Sequence, residues 1–325
     1  MNDHYKILQV DKKASPEVIK AAYHALCKLH STEDSIMKKL NLAWEILGDQ
    51  DKKKNWDDKQ KPKGKIIGDY RLISQIAEGG FGTTYKAQHM TLGTNVCIKH
   101  ALNISATDEE LLLEEAKIIW DLRHWGIPAI RDILRMPDGS LSLVMSYVEG
   151  PTLYEVVEKN GSSLDPEHVA WICERILNIM YYLHLHGVIH GDIKPQNIIV
   201  QPQSHTVVLV DYGLSSLKPN RKTEAKGYTP YFAAPEQING KTPIPETDLY
   251  SLGMTLIFAL GGDVKNIKLP SNVPSHLFDF IKSLIKIEPL RRPPVWNKIN
   301  LCETIKEVRE ADFGRKASGF KPLKF

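Results

Sequence analysis

A predicted β-hairpin with polar residues at its open end constrains the fold of this chain more than any other feature. Its strands are the apolar runs Ile198-Ile199-Val200 and Val207-Val208-Leu209-Val210. The segment His190-Gly191-Asp192-Ile193-Lys194-Pro195-Gln196-Asn197 comes directly before the first run, and Asp211-Tyr212-Gly213 directly follows the second. Because the start and the end of an antiparallel hairpin lie side by side, the two segments should share one site.

These two segments resemble the catalytic loop and the metal-binding motif of protein kinases. The resemblance implies that Asp192 accepts the proton of a substrate hydroxyl and that Lys194 neutralises the moving phosphoryl group. It further implies that Asn197 and Asp211 hold a divalent metal on the phosphates of ATP. Carboxylates and phosphates would otherwise repel each other, so the cluster predicts magnesium, with manganese as the alternative.

A second hairpin predicts where the nucleotide phosphates lie. Tyr70 to Ile76 and Thr84 to Gln88 alternate as strands do and bracket a glycine-rich turn, whose backbone N–H groups can cover phosphates. The family pattern would have a further Gly at Ala77, so we expect weaker nucleotide binding. The resemblance assigns nucleotide contacts to Ile76, Ala77, Glu78, Gly79, Gly80, Phe81, Gly82 and Thr84.

The segment Asn95-Val96-Cys97-Ile98-Lys99 resembles the third kinase strand, whose Lys reaches the α and β phosphates. The family places the partner of this Lys on the following helix. We expect Glu115 to be that partner, with Glu114 as the second choice. Cys97 would lie above the adenine as a small apolar residue rather than as a redox group.

The rest of the predicted adenine pocket follows from Leu143-Val144-Met145-Ser146-Tyr147-Val148, which resembles the strand and hinge between the two kinase lobes. Met145 is the expected gatekeeper, and main-chain groups near Ser146 and Val148 would meet the adenine edge. Ile199 completes the predicted nucleotide contacts.

Gly191 stands where Arg is usual, and His-Gly-Asp also occurs in small-molecule phosphotransferases of the aminoglycoside and choline kinase type. The segment Gly227-Tyr228-Thr229-Pro230-Tyr231-Phe232-Ala233-Ala234-Pro235-Glu236 favours a protein substrate, because it resembles the end of a protein kinase activation segment. Lys194 together with Thr229 favours serine or threonine acceptors. In kinases with Arg before the catalytic Asp, that Arg binds a phosphate on the activation segment, and this contact orders the segment. Gly191 has no side chain to make such a contact, so we expect activity that does not depend on phosphorylation at Ser215, Ser216 or Thr223.

Outside the phosphate-binding motifs, two residues are expected to have structural roles. Arg292 is the expected buried partner of Glu236. Asp248 opens a segment that resembles the buried helix supporting the catalytic loop.

The N-terminal residues predict two antiparallel helices. Ser15-Pro16-Glu17 is a helix start followed by apolar residues at helical spacing to about Leu29, and a second helical pattern from Ile36 ends at Gly48-Asp49. Residues 1–58 resemble a J domain of the DnaJ family, notably in Ile19-Lys20-Ala21-Ala22-Tyr23 and the segment from Asn41 to Leu47. His30-Ser31-Thr32 stands where that family has His-Pro-Asp, so we expect docking or regulation rather than stimulation of a chaperone.

Composition is that of a soluble globular protein, and 325 residues are enough for two cores. The first 65 residues carry 14 Lys against 10 acidic residues, but the interleaved charges indicate a solvated helix face rather than a nucleic-acid partner. Four scattered cysteines and the absence of any long apolar run predict a cytoplasmic protein without a membrane partner.

These observations predict an α+β chain with a small all-α J-like helical hairpin before a two-lobed kinase fold, which has a β-rich N-lobe and a helical C-lobe. The expected divisions are a J-like domain over 1–58, a basic linker over 59–65, a kinase domain over 66–310 with lobes meeting near 147–148, and a basic tail over 311–325. The expected function is that of a bacterial-type serine/threonine protein kinase. The alternatives are a pseudokinase scaffold, a co-chaperone-type adaptor and, less favoured, a small-molecule phosphotransferase.

Overall fold

The computed structural model describes residues 4–11, 14–30, 34–53, 64–79, 82–100, 106–136, 139–294, 296 and 300–314. The chain forms two compact units, one of Met1–Ile67 with Arg71–Gln75 and one of Gly68–Tyr70 with Ile76–Phe325. Several predictions fall outside the described residues. They concern Ser31, Thr32, Gly80, Phe81, most of the 59–65 linker and the tail from 315 onward.

The first unit contains the helices α1 (His4–Ile7), α2 (Pro16–Leu29) and α3 (Asp34–Leu47). The predicted start of α2 is confirmed, since the Ser15 side chain accepts the N–H of Val18 and Pro16 occupies the first turn. The rings of Tyr23 and Trp44 stack at 4.9 Å and fix α2 against α3. The small apolar core consists of Tyr5, Leu8, Ile19, Leu40, Ala43 and Leu47.

Short antiparallel strands form the β-rich part of the chain. Their bounds are β1 (Ile66–Ile67), β2 (Tyr70–Gly79), β3 (Gly82–His89), β4 (Asn95–His100), β5 (Ile130–Arg135) and β6 (Leu141–Ser146). Within the second unit, β3, β4, β6 and β5 lie side by side in that order. The register pairs Lys99 with Thr84 on one side and with Leu143 on the other, so Lys99 sits on a central strand.

Helix α4 (Ala106–Ile119) belongs with these strands, and most of the later helices build the second, helical half of the unit. They are α5 (Leu153–Lys159), α6 (Pro166–Leu185), α7 (Pro235–Ile238), α8 (Pro245–Ala259), α9 (Ser275–Leu284) and α10 (Leu301–Phe313). Helix α8 is buried on nearly every side, as expected of a helix that is apolar all round. No helix among the described residues is both long and apolar enough to cross a bilayer.

One pair of short strands from distant parts of the chain and one short hairpin carry the predicted site in the helical half of the unit. Strands β7 (Val188–Ile189) and β10 (Ser216–Leu217) pair with each other, and β8 (Ile198–Gln201) pairs with β9 (Thr206–Leu209). A 3-10 turn, Pro195–Asn197, leads directly into β8. This is the α+β architecture that the sequence predicts, with N-terminal helices, a β-rich lobe and a helical lobe.

Candidate active site

Lys99 forms the centre of a buried ionic cluster. Its Nζ lies 2.6 Å from Glu115 Oε2 on α4 and 2.8 Å from Asp211 Oδ1 at the end of the β8–β9 hairpin. Burial by itself lowers the pKa of Lys99, but the two carboxylates outweigh it and hold the pKa above its usual value. Lys99 therefore stays charged and joins a strand, a helix and the hairpin at one point. Glu114, the second choice as its partner, pairs instead with Lys226.

Asp211 keeps one side open to solvent. Burial alone raises its pKa, but the nearby Lys99 ammonium lowers the pKa below the usual value, so the carboxyl is ionised. The side chain is still 43 % exposed, although Lys99 occupies Oδ1. An ionised, partly exposed carboxylate is a suitable ligand for a hard cation.

Asn197 lies beside Asp211 because the hairpin backbone joins them. The N–H of Val210 donates to Asn197 O at 2.9 Å, and Ile198 pairs with Leu209 in the ladder. The side-chain Nδ2 of Asn197 donates to both the main-chain O and the Oδ2 of Asp192. Its Oδ1 is thereby left as the acceptor, so Asn197 and Asp211 together offer the oxygen ligands that magnesium prefers.

Asp192 is surrounded by hydrogen-bond donors. Lys194 Nζ and Asn197 Nδ2 donate to its Oδ2 at 2.7 and 3.0 Å, and Thr229 Oγ1 donates to its Oδ1 at 2.6 Å. Lys194 also donates to the Thr229 hydroxyl at 3.0 Å. The carboxylate therefore has a fixed orientation and an adjacent positive charge.

A buried carboxylate on α8 holds the loop that carries Asp192. Asp248 accepts the N–H groups of His190 and Gly191 at 2.9 and 2.8 Å, and His184 Nε2 lies 2.8 Å from Asp248 Oδ2. Trp296 Nε1 donates to His184 Nδ1 at 2.9 Å. Since Nδ1 accepts a hydrogen bond, the neutral ring carries its hydrogen on Nε2 and donates it to Asp248. The roles of His184 and Trp296 were not predicted from the sequence, because neither residue belongs to a recognisable motif.

Tyr212 finds a partner for its hydroxyl within the same hairpin. The hydroxyl donates to Leu209 O at 3.2 Å, and the ring meets His190 edge-on at 4.8 Å. Burial lowers the pKa of His190, so its ring is neutral at neutral pH. Tyr212 and His190 thus form a packed contact between the two motifs.

The end of the predicted activation segment, residues 211–236, is anchored by the expected ion pair. Arg292 Nη1 and Nη2 donate to Glu236 Oε1 and Oε2 at 2.6 and 2.9 Å, which confirms that pairing. The guanidinium also donates to main-chain carbonyls of Glu246, Lys286 and Ile287. A bidentate arginine–carboxylate ion pair in which the other guanidinium N–H groups are also hydrogen-bonded holds the end of the segment rigidly.

The predicted adenine-side residues lie along neighbouring strands. Cys97 on β4 pairs in register with Met145 on β6, and burial raises the pKa of the Cys97 thiol to about 12, so the thiol stays neutral. The N–H of Ser146 donates to Ala129 O and its hydroxyl accepts from Ala129 N–H, and the predicted contact of the main chain near Ser146 with the adenine edge stays a prediction. Val148 follows the end of β6.

The remaining predicted nucleotide contacts are on strand ends. Ile76, Ala77 and Glu78 are exposed near the end of β2, where Gly79 closes the strand. Gly82 and Thr84 begin β3, and Ile199 on β8 bridges to Thr152. The structure places these residues, and their nucleotide contacts remain predictions.

Comparison with known proteins identifies two matching families. Residues 70–264 match the protein kinase domain, and residues 3–57 match the DnaJ domain. Similar proteins include the probable serine/threonine-protein kinase PknB of Lactococcus lactis, 27% identical over 76% of this chain and 40% of the relative. Serine/threonine-protein kinase D of Synechocystis is 28% identical over 70% of this chain and 50% of its own length.

A third relative, serine/threonine-protein kinase dst2 of Dictyostelium discoideum, is 35% identical over 58% of this chain and 17% of its own length. The chain therefore spans half or less of the length of these relatives.

Proposed function

Because this chain belongs to the protein kinase family, we propose that it transfers the γ-phosphate of ATP to serine or threonine hydroxyls of protein substrates. The observation that carries the proposal is the Asp192 carboxylate, which is hydrogen-bonded by Lys194 and Thr229 at the hairpin end that bears Asn197 and Asp211. The family implies ATP and a divalent metal. The kinase domain also implies a protein substrate.

In the proposed reaction, Asp192 orients the attacking hydroxyl and takes its proton, because its carboxylate is held in one orientation. Lys194, with Nζ 2.7 Å from that carboxylate, places a positive charge where the phosphoryl group moves. Lys99, held by Glu115, positions the α and β phosphates of ATP.

Asn197 and Asp211 would hold the metal, for which magnesium fits the oxygen ligands best and manganese is the alternative. When bound, the metal would neutralise the negative charge of the phosphate oxygens. The adenine would pack beside Cys97 and Met145, with Val148 main-chain groups at its edge.

The decisive experiment is transfer of labelled phosphate from ATP and magnesium to a generic protein substrate by the full chain. We expect Asp192→Asn to reduce incorporation to background, whereas the matched control Asp279→Asn, an exposed position on α9, should leave it unchanged. Equal background incorporation by the wild type and Asp192→Asn would support a scaffold without catalysis.

For the DnaJ domain, we propose a protein-docking or regulatory role. The supporting observation is His30-Ser31-Thr32, because the chain has no His-Pro-Asp tripeptide. Adding the full chain to a heat-shock chaperone ATPase should give no stimulation. Stimulation by the wild-type chain would contradict this role, and the Ser31→Pro, Thr32→Asp variant tests whether the tripeptide is the missing element.

A further inference from the structure

We propose that Glu114, Lys226 and Gln237 are positioning residues that hold the activation segment in place without a phosphate. This inference rests on the proposed kinase function and adds the means of its regulation. It combines an ion pair made by Lys226 within the segment with an amide bridge to the next residue, Gly227. Together they connect helix α4 to the loop that carries Asp192.

The ion pair joins the activation segment to the helix that carries Glu115. Lys226 Nζ lies 2.8 Å from Glu114 Oε2, and the two side chains are 22 % and 45 % exposed. Glu114 and Glu115 are neighbours on α4, so their side chains leave the helix about 100° apart. One therefore reaches the segment and the other reaches Lys99. Any movement of the segment at Lys226 is thus coupled to the position of Glu115.

The amide bridge lies directly beside this ion pair. Gln237 Nε2 donates to Gly227 O at 2.9 Å and to Gly191 O at 2.7 Å, and the residue is only 3 % exposed. Both acceptors are carbonyl oxygens, so the side-chain nitrogen, not the oxygen, must face them. Gly227 follows Lys226, and Gly191 precedes Asp192. A single amide group therefore ties the segment to the catalytic loop.

In kinases with Arg before the catalytic Asp, a phosphate on the activation segment binds that Arg and orders the segment. In this chain the ion pair and the amide bridge take the place of that contact. Gly191 has φ +74°, and a Cβ built there would lie 2.9 Å from Leu214 O, so the local backbone leaves no room for a side chain. Ser215 and Ser216 are buried, and the Ser215 hydroxyl donates to His190 O at 2.9 Å. Of the three hydroxyls considered as phosphorylation sites, those of Ser215 and Ser216 are therefore buried and not exposed to a modifying kinase.

The first experiment reverses the ion pair in the phosphatase-treated chain. Glu114→Lys and Lys226→Glu should each lower kcat/KM for a protein substrate by about two- to fivefold, as expected of a partly exposed pair. The double variant Glu114→Lys, Lys226→Glu should return to within about twofold of the wild type. A double variant that is as impaired as the two losses combined would overturn the ion-pair part of the proposal.

The second experiment tests the amide bridge with a change of the same size. Gln237→Glu replaces the donor by an acceptor that faces two carbonyl oxygens, so kcat/KM should fall at least about tenfold while the KM for ATP stays within about twofold. Gln203→Glu, an exposed position in the turn between β8 and β9, is the matched control. Wild-type activity in Gln237→Glu would overturn the bridge.

Hydrogen exchange of segment 220–229 provides a readout that needs no catalysis. Each single charge reversal and Gln237→Glu should speed exchange of these amides, and the double reversal should restore wild-type exchange. Unchanged exchange in all the variants would overturn the inference. If the wild type and Asp192→Asn both lacked kinase activity, the proposed function would fail, and the exchange data would still decide whether these residues hold the segment.

Discussion

The hydroxyl of Thr229 donates to Asp192 Oδ1 at 2.6 Å, although the two residues lie 37 positions apart in the chain. Lys194 closes the triangle by donating to both. Asp192 is thus oriented from the activation segment as well as from its own loop. The conformation of that segment should therefore control the orientation of this carboxylate, which we propose as the catalytic base.

Replacing Thr229 by Val should lower kcat at least about tenfold, because the change removes a hydrogen bond to a charged carboxylate while keeping the side-chain shape. Thr229→Ser keeps the hydroxyl and should retain most of the activity. Steady-state kinetics with a protein substrate would measure both. A Thr229→Val variant with wild-type kcat would show that the contact has no catalytic importance.

Asp248 should make a pH-dependent contribution to stability. Burial alone raises its pKa, but hydrogen bonds from His184 and the N–H of Gly191 lower it below the usual value. Because the pKa of Asp248 is lower in the folded than in the unfolded state, its ionised carboxylate stabilises the fold at pH values above the usual pKa of an Asp. This stabilisation is lost as the pH falls through the folded-state pKa.

A comparison of the wild type with Asp248→Asn tests whether the contribution of Asp248 to stability decreases at low pH. At neutral pH the variant should unfold at a clearly lower temperature, corresponding to a loss of about 2 kcal/mol, because a charged acceptor of two main-chain N–H groups is removed. The difference in Tm should shrink as the pH falls below about 4. A Tm difference that stays constant down to pH 3 would contradict the assignment.

Trp296→Phe should destabilise the chain by about 1 kcal/mol, because the indole N–H that binds His184 Nδ1 is lost while the aromatic packing is kept. His184 could then carry its hydrogen on either nitrogen, which weakens its bond to Asp248. Thermal unfolding and kcat should both be measured. The exposed Trp120 supplies the control, since Trp120→Phe should change neither.

Gly191→Ala should lower the free energy of unfolding by about 2 kcal/mol, through backbone strain at φ +74° and the close approach to Leu214 O. Gly161 has the same φ with nothing near its missing Cβ, so Gly161→Ala isolates the strain from the contact. Urea unfolding should therefore show the larger loss for Gly191→Ala. Equal losses would show that the contact with Leu214 O costs nothing.

The sequence by itself was enough to predict the elements that depend on neighbouring residues. The start of α2 at Pro16, its end at Leu29 and the β8–β9 hairpin follow from capping, periodicity and turn chemistry, which act over a few positions. The spacing of Asp192 and Asn197 is set within one loop. Secondary structure of this kind depends on residues that are close in sequence and can therefore be predicted from the sequence alone.

The resemblance already paired Arg292 with Glu236 and Lys99 with Glu115. Only the tertiary structure could decide the other contacts between distant segments. Lys99 and Asp211 are 112 positions apart, and Trp296 and His184 are separated equally far. The resemblance favoured Glu115 over Glu114 as the partner of Lys99, and the structure confirms it, but the rotation of the helix that sets this contact does not follow from the pattern of residue types. Gln237 joins two loops through main-chain carbonyls, which every residue possesses, so its role arises from packing rather than from any motif.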